Sequence, residues 1–419
     1  MPTKPFRPST QKIVTAIDIG GSKVSCVIGT TAKDPMTPPA ILGIGAHGIQ
    51  SAKKGDVPTL EDIENAIAHA VYKAEKAANL TVKEAIVNIS GPHLVSEIVK
   101  VSTDIQGRSV KDADIQYLLS QGTQNSEHQP FTILHANPLR FSIDNGQPLR
   151  NPKGMFGNTL TGYVHMVTSA LNPARTLIHC LKQCHINVRG IVPSVIASGY
   201  ATLVEDEMEL GVVLIDIGSH HTNIALFKEG DVIHTESIPI GSRNITKDLA
   251  HGLSTSLVAA ERIKILHGSA IETTDDTKVI IEVPPIGDST KEISQHIRRS
   301  LVTSIVKPRV EEILEMVKSR LEKTNAYKTT NRRLVLTGGG SLLPGMKELA
   351  QTILQKQVRL GKPLNSFQSA YPYALPSFST AIGLLTYAMK RNYPETGQRP
   401  AYSPWLESLV TWLKIIFNA

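Results

Sequence analysis

Two acidic turns, nearly two hundred residues apart, carry the residue types best suited to chemistry. Asp18 ends the apolar, β-branched run of KIVTAIDIGGSKVSCVIG, and Gly20, Gly21, Ser22 and Lys23 precede a second run from Val24 to Ile28. Asp216 ends the run of LGVVLIDIGSHHTNIALFKEG and is followed by Gly218, Ser219, His220 and Thr222. Each segment reads as strand, tight turn, strand. Glycines let the backbone approach a ligand and turn its N–H groups toward phosphate oxygens, and an aspartate at each strand end can hold a hydrated Mg2+ through water. Two such turns face to face would clamp the phosphates of a nucleotide. Lys23 either neutralises phosphate charge or stands as an exposed turn lysine.

A third element is RRLVLTGGGSLLPGMKELAQTIL, where a strand ends at Thr337 and Gly338, Gly339 and Gly340 follow. Three successive glycines admit an adenine or a ribose against bare backbone. The segment lacks the Gly-Lys-Ser/Thr ending of a P-loop, and the paired aspartate hairpins set it apart from a dinucleotide fingerprint. Pro344-Gly345 then lead into an apolar-periodic helix.

The elements that position these turns must be duplicated, because hydrophobic run, Asp-Ile-Gly, turn and hydrophobic run recur at domain scale. The 419-residue chain is long enough for two or more domains, and its globular composition excludes disorder and fibrous folds. The opening MPTKPFRPSTQK has no apolar core and does not read as a secretory signal, so the bulk of the protein is expected in the cytosol. A net charge of +7 is scattered and has no aromatic-basic platform, which argues against nucleic acid. Three cysteines are too few for a disulfide framework. His179, Cys180, Cys184 and His185 fall together in HCLKQCH, as a metal site or, by helical spacing, as ordinary packing.

The ordered set of Asp18 hairpin, Asp216 hairpin and Gly338–Gly340 turn resembles the nucleotide-binding architecture of actin, Hsp70 chaperones and sugar kinases. Over Lys12 to Phe417 the chain resembles the bacterial FtsA cell-division family, on GSRNITKDLAHGLSTSLVAAERIKILHGSA, VKPRVEEILEMV, VLTGGGSLLPGM and FSTAIGLLTYA. The resemblance implies an α/β, actin-like fold of two ribonuclease-H-like halves, with an inserted α+β subdomain and a C-terminal amphipathic helix. Its expected parts are the first half at 1–84 and 166–208, the insertion at 85–165, and the second half at 209–243 and 327–370. The small subdomain of the second half is expected at 244–326, a helix returning to the first half at 371–389, a linker at 390–402 and the terminal helix at 403–419.

The same resemblance implies ATP and Mg2+ as ligands, with Asp18 and Asp216 near the cation and Glu261 and Lys264 approaching ribose and adenine. Glu261 and Lys264 lie on one face of a helix expected to begin near Ile245, where a plain surface ion pair is the alternative. The second turn departs from the family pattern of successive glycines: Ser219 and His220 replace two of them, and His221 stands where a threonine is usual. His220 or His221 either donates to a phosphate oxygen or points into solvent. No residue is marked as positioning water for hydrolysis, so at most slow ATPase activity is expected.

Implied partners are the C-terminal peptide of the tubulin-like division protein FtsZ, other copies of the chain in a filament, and later division proteins at the insertion. Arg298, Arg299, Lys307 and Arg309 would offer an acidic peptide its cations. In the tail, Trp405, Leu406, Leu409, Trp412, Leu413, Ile416 and Phe417 fall on one helical face, behind a tether-like KRNYPETGQRPAYSP. That stripe is too short to span a bilayer and suits a helix lying in an anionic membrane interface; the resemblance implies that this interface is the cytoplasmic face of the inner membrane at the division site. A final helix docked on its own domain is the alternative. A pilus-assembly adaptor and a small-molecule kinase share the actin-like core, but neither accounts for the tail.

Overall fold

The computed structural model describes residues 13–30, 40–49, 58–126, 131–286, 294–324, 333–364 and 374–390. The expected linker and terminal helix lie outside the described residues.

In the first half, β1 (Ile13–Ile19), β2 (Lys23–Thr30) and β3 (Ala40–Gly48) form an antiparallel meander. Helix α1 (Leu60–Ala78) starts at Thr59, whose hydroxyl accepts from the Asp62 N–H while Asp62 accepts from the Thr59 N–H, a capping box. The parallel strand β4 (Glu84–Ile89) pairs with β1, and the sheet order is β3-β2-β1-β4-β8, with β8 spanning Asn187–Pro193.

Between β4 and β8 lies the insertion, in which β5 (Leu94–Asp104), β6 (Phe131–Ile143) and β7 (Thr159–Ala170) form a separate antiparallel sheet with α2 (Asp112–Ser126) against it. This sheet begins at Leu94 instead of the expected residue 85, because β4 is fully absorbed into the first half's sheet. Helix α3 (Leu171–Gln183) returns the chain to that half and buries Cys180 in its core, while His185 lies just beyond the helix in a left-handed turn. Cys184 packs against the same core while His179 and His185 are exposed, and no group of three or more His, Cys, Asp or Glu side chains placed to hold a metal ion occurs among the described residues.

Helices α4 (Ser194–Thr202) and α5 (Glu205–Leu210) lead to the second half. There β9 (Val212–Ile217), β10 (Thr222–Lys228) and β11 (Asp231–Ile238) repeat the meander. Helices α6 (Ser242–Gly252) and α7 (Leu257–His267), the hairpin β12 (Ile280–Val283) with β13 (Gln295–Arg298), and α8 (Arg299–Lys323) build the small subdomain. The single helix expected from Ile245 is two. Ser254 takes a positive φ of 49° that breaks it, and the Ser256 hydroxyl accepts from the Ala259 N–H to start α7.

Strand β14 (Arg333–Thr337), helix α9 (Met346–Leu354) and β15 (Gln357–Leu360) complete the second sheet in the order β11-β10-β9-β14-β15. Position for position this is the order of the first sheet, so the duplication read from the turns extends to the whole topology. Helix α10 (Ser379–Lys390) returns to pack on α4 so closely that a β-carbon on Gly383 would collide with the Ala197 carbonyl. Around these two helices, Val14 and Ala16 of β1 share a buried core with Val212 and Leu214 of β9. Each of the valines and the leucine contributes roughly 1.5–3 kcal/mol when fully buried, which ties the halves together beneath the two turns. No helix among the described residues is long and apolar enough to cross a membrane.

Candidate nucleotide cleft between the two halves

Asp18 is the penultimate residue of β1 and is only 7% exposed, so its carboxylate must find partners inside the protein. Asn88 of β4 supplies one: its amide donates to Asp18 Oδ1 at 2.8 Å and to Ser194 Oγ at 3.0 Å, while its own oxygen accepts from the Ile19 N–H at 2.7 Å. Burial pushes the Asp18 carboxyl up to about 7; Lys23 opposes this rise, Asp216 adds to it, and the Asn88 hydrogen bond again opposes it. The turn itself closes by Gly20 N–H donating to the Lys23 carbonyl at 3.0 Å. Lys23 extends over the Phe378 ring, 3.4 Å from its centroid, and burial lowers its pKa, with Asp18 acting the other way.

Asp216 holds the matching position on β9 and is also buried, 5% exposed. Ser198 Oγ of α4 donates to its Oδ2 at 2.7 Å, and Thr380 of α10 stands 3.5 Å from the same oxygen. Burial raises its pKa and the two hydroxyls counter it. The turn that follows is fixed at its base: Gly218 N–H donates to the His221 carbonyl, and the carbonyls of Gly218 and Ser219 accept from Ser242 and Arg243 at the start of α6, each at 2.9 Å. Thr222 is fully buried and donates to the Ile240 carbonyl, which holds β10 and keeps this side chain out of the cavity wall. His220 leans across to the first turn, where a β-carbon on Gly21 would collide with its Nδ1. Partial burial lowers the pKa of both His220 and His221, and Arg243, His221 and Lys247 add to the effect on His220.

The third turn needs the first and last of its glycines. Gly338 has φ 83°, and a β-carbon there would collide with Asp216 Oδ1 and come within 2.5 Å of the Ile217 carbonyl oxygen. On Gly340 a β-carbon would lie 2.5 Å from Ile217 Cγ2. From α7, the Lys264 ammonium reaches Glu261 at 2.7 Å, Thr246 Oγ1 at 2.9 Å and the Ser242 carbonyl at 3.2 Å. Lys264 is 8% exposed while the Glu261 side chain is 45% exposed, so the pair has a buried cation, held also by Thr246 and Ser242, and a carboxylate that reaches solvent at the cavity rim.

One cavity of about 390 Å³ is bounded by all of these turns. It brings together Asp18, Gly20, Gly21, Ser22 and Lys23 from the first half with Asp216, Gly218, Ser219 and His220 from the second, closed by Glu261, Lys264, Gly338, Gly339 and Gly340. The wall also contains Asn88, Ser194, Ser377 and Thr380, which sequence reasoning missed. Asn88 had a signal, a lone amide in the buried run AIVNIS; the hydroxyls had none, since only tertiary packing brings Ser194 to Asn88, Ser377 to Lys23 and Thr380 to Asp216. Two buried carboxylates and one lysine beside bare glycine backbone form a donor set that fits a phosphate chain with a hydrated divalent cation.

The four basic residues expected to meet a partner are spread along β13 and α8 and are largely engaged within the chain. Arg299 pairs with Asp276, Arg309 with Asp248 at 2.5 Å and also with Glu312, and Lys307 lies 3.7 Å from Glu272. Arg298 is exposed and immediately precedes α8.

Two halves of this shared strand order, closing on one cavity, define the actin-like fold, here with an inserted α+β subdomain. The family model "Cell division protein FtsA" matches residues 213–383, and the model "SHS2 domain inserted in FTSA" matches residues 91–168. The cell division protein FtsA of Agrobacterium fabrum is 38% identical over 392 residues, covering 92% of this chain and 88% of that protein. That of Escherichia coli is 28% identical over 422 residues, covering 98% and 99%. The chain belongs to the bacterial FtsA cell-division family.

Solved structures at lower identity share the fold alone. The PilM–PilN type IV pilus biogenesis complex aligns with a TM-score of 0.64 at 14% identity, covering 90% of this chain and 98% of that one. MreB5 of Spiroplasma citri bound to AMPPNP aligns at 0.53 with 13% identity, covering 92% and 98%.

Proposed function

We propose that this chain binds Mg-ATP in the cleft, assembles into filaments, and tethers FtsZ filaments to the inner membrane while helping to recruit later division proteins. The observation that carries the reading is the pair of buried aspartates at equivalent strand ends, facing one cavity from two duplicated halves of an FtsA-family chain. MreB5, with the same fold, is described bound to AMPPNP and to ADP. In this reading Asp18 and Asp216 hold the hydrated Mg2+, whose charge offsets that of the phosphates. The first and second turns direct backbone N–H groups at phosphate oxygens, Lys23 adds positive charge, and Gly338–Gly340 with Glu261 and Lys264 receive the ribose and adenine.

Family membership also supports FtsZ binding by the small subdomain. Because Arg299, Arg309 and Lys307 already have carboxylate partners, an acidic peptide would have to compete for them, least so at Lys307, whose 3.7 Å pair with the exposed Glu272 is the loosest, and the exposed Arg298 is the readier contact. Attachment to the membrane is assigned to the amphipathic stripe from Trp405 to Phe417, strengthened when a filament presents many tails together. The test is co-sedimentation with anionic liposomes of the full chain and of a truncation after Gln398, each with and without Mg-ATP. The full chain should pellet, more so with Mg-ATP, and the truncation should stay in solution. Equal pelleting of the two would remove the tail from the account.

A further inference from the structure

The second phosphate-facing turn carries an imidazole where a glycine would leave open space, and that imidazole rests on the opposite turn. Any β-carbon on Gly21 would collide with His220 Nδ1 and lie 2.9 Å from its Cε1, so the ring spans the gap between the two halves. Neither backbone can retreat easily. The second turn is tied to α6 through the Gly218 and Ser219 carbonyls, and the first is closed by Gly20 to Lys23 and by Ile49 N–H donating to the Ser22 carbonyl at 2.9 Å. The ring itself has room to swing, since His220 is exposed toward the cavity and makes no hydrogen bond among the described residues. It is also a poor phosphate anchor at neutral pH, because its surroundings disfavour the protonated form.

We propose that His220 is a specificity-determining latch, whose ring occupies the space between the two turns and must swing aside for the terminal phosphate of a nucleoside triphosphate. The inference rests on the nucleotide reading of this cleft. With base and ribose at the Gly338–Gly340 turn and Lys264, the phosphate chain runs toward Asp18 and Asp216. The phosphate farthest from the base is then the one that reaches the Gly21–His220 contact. A diphosphate is spared that displacement, so the latch narrows the preference for tri- over diphosphate that the glycine-lined cleft would otherwise have.

The experiment measures Kd for Mg-ATP and Mg-ADP with the full chain and with His220→Ala and His220→Gly. The ratio Kd(ADP)/Kd(ATP) should rise about tenfold in both variants. A ratio within twofold of the parent, or one that falls because a phosphate contact was lost, overturns the latch. A second arm reads the contact without nucleotide. In the nucleotide-free chain the His220 imidazole protons should show a nuclear Overhauser effect to the Gly21 α-protons, and its absence would overturn the contact. If neither parent nor variants bind either nucleotide, the reading of the cleft falls and the latch with it. Binding by the parent with an unchanged ratio removes the latch alone.

Discussion

In the first half the turn after β1 is Gly20-Gly21-Ser22-Lys23, open backbone followed by a cation; in the second half the turn after β9 is Gly218-Ser219-His220-His221, where two imidazoles replace open backbone. The strands that deliver these turns share one topology, and both aspartates are buried at matching positions. The surroundings of the aspartates diverge as the turns do. Asp18 is held by an amide from its own sheet and faces Lys23, whereas Asp216 takes hydroxyls from α4 and α10, the helices that join the halves. Duplication has thus preserved the carboxylates and the strand ends while each half acquired its own way of satisfying them. Asp216 is the one tied to the two helices packed between the halves, so changes at this carboxylate are expected to reach α10 and the first half.

The largest effect expected from this contrast is steric. Gly338→Ala should cost about 3 kcal/mol, because the left-handed backbone is strained with a β-carbon and that carbon collides with Asp216. Gly20→Ala, whose new carbon would meet only the Lys23 carbonyl at 3.0 Å, should cost about 1 kcal/mol. Denaturant unfolding of the two variants compares them directly, and equal losses would mean that the second half's aspartate is not packed against its turn as described.

A smaller effect separates the aspartates by pH. The folded pKa of Asp18 is raised from 3.8 to about 7, so the folded chain holds an extra proton between those values and loses stability as pH rises through that window. Asp18→Asn removes the burial cost of the charge. The variant should be more stable than the parent at pH 8, with the gap closing toward pH 4. Thermal melting across that range gives the answer, and a gap independent of pH would show that Asp18 is not the group responsible.

The smallest effect lies in the small subdomain. Lys278 and Asp275 form an exposed pair at 3.5 Å, and Lys278→Ala should change stability by less than about 0.5 kcal/mol. One residue away, Asp276 is 2% exposed and is held by Arg299, Thr273 and Thr303, so Asp276→Asn should cost several-fold more in the same unfolding measurement.

The turns were legible in the sequence because Asp-Ile-Gly and Gly-Gly-Gly report backbone requirements that few other residues meet. The duplication was legible for the same reason. Ser194, Ser198 and Thr380 were not, since their role depends on how α4 packs against β9 and α10, which no local pattern encodes. The break at Ser254 was hidden by helical periodicity on both sides, and the start of the insertion was misplaced because β4 reads as an ordinary short strand until its pairing with β1 is known. Burial of Lys264 was equally hidden, because sequence spacing placed it beside Glu261 but not beneath Ser242 and Thr246.

The central claim is that two duplicated aspartate turns jointly hold Mg-nucleotide. Calorimetric titration of Mg-ATP into the full chain, with and without Mg2+, and into Asp216→Asn, tests it most directly. One saturable site that weakens at least about tenfold on removing Mg2+ and again in the variant is the predicted result. Affinity unchanged by both would contradict the claim, since neither the cation nor the second half's carboxylate would then take part.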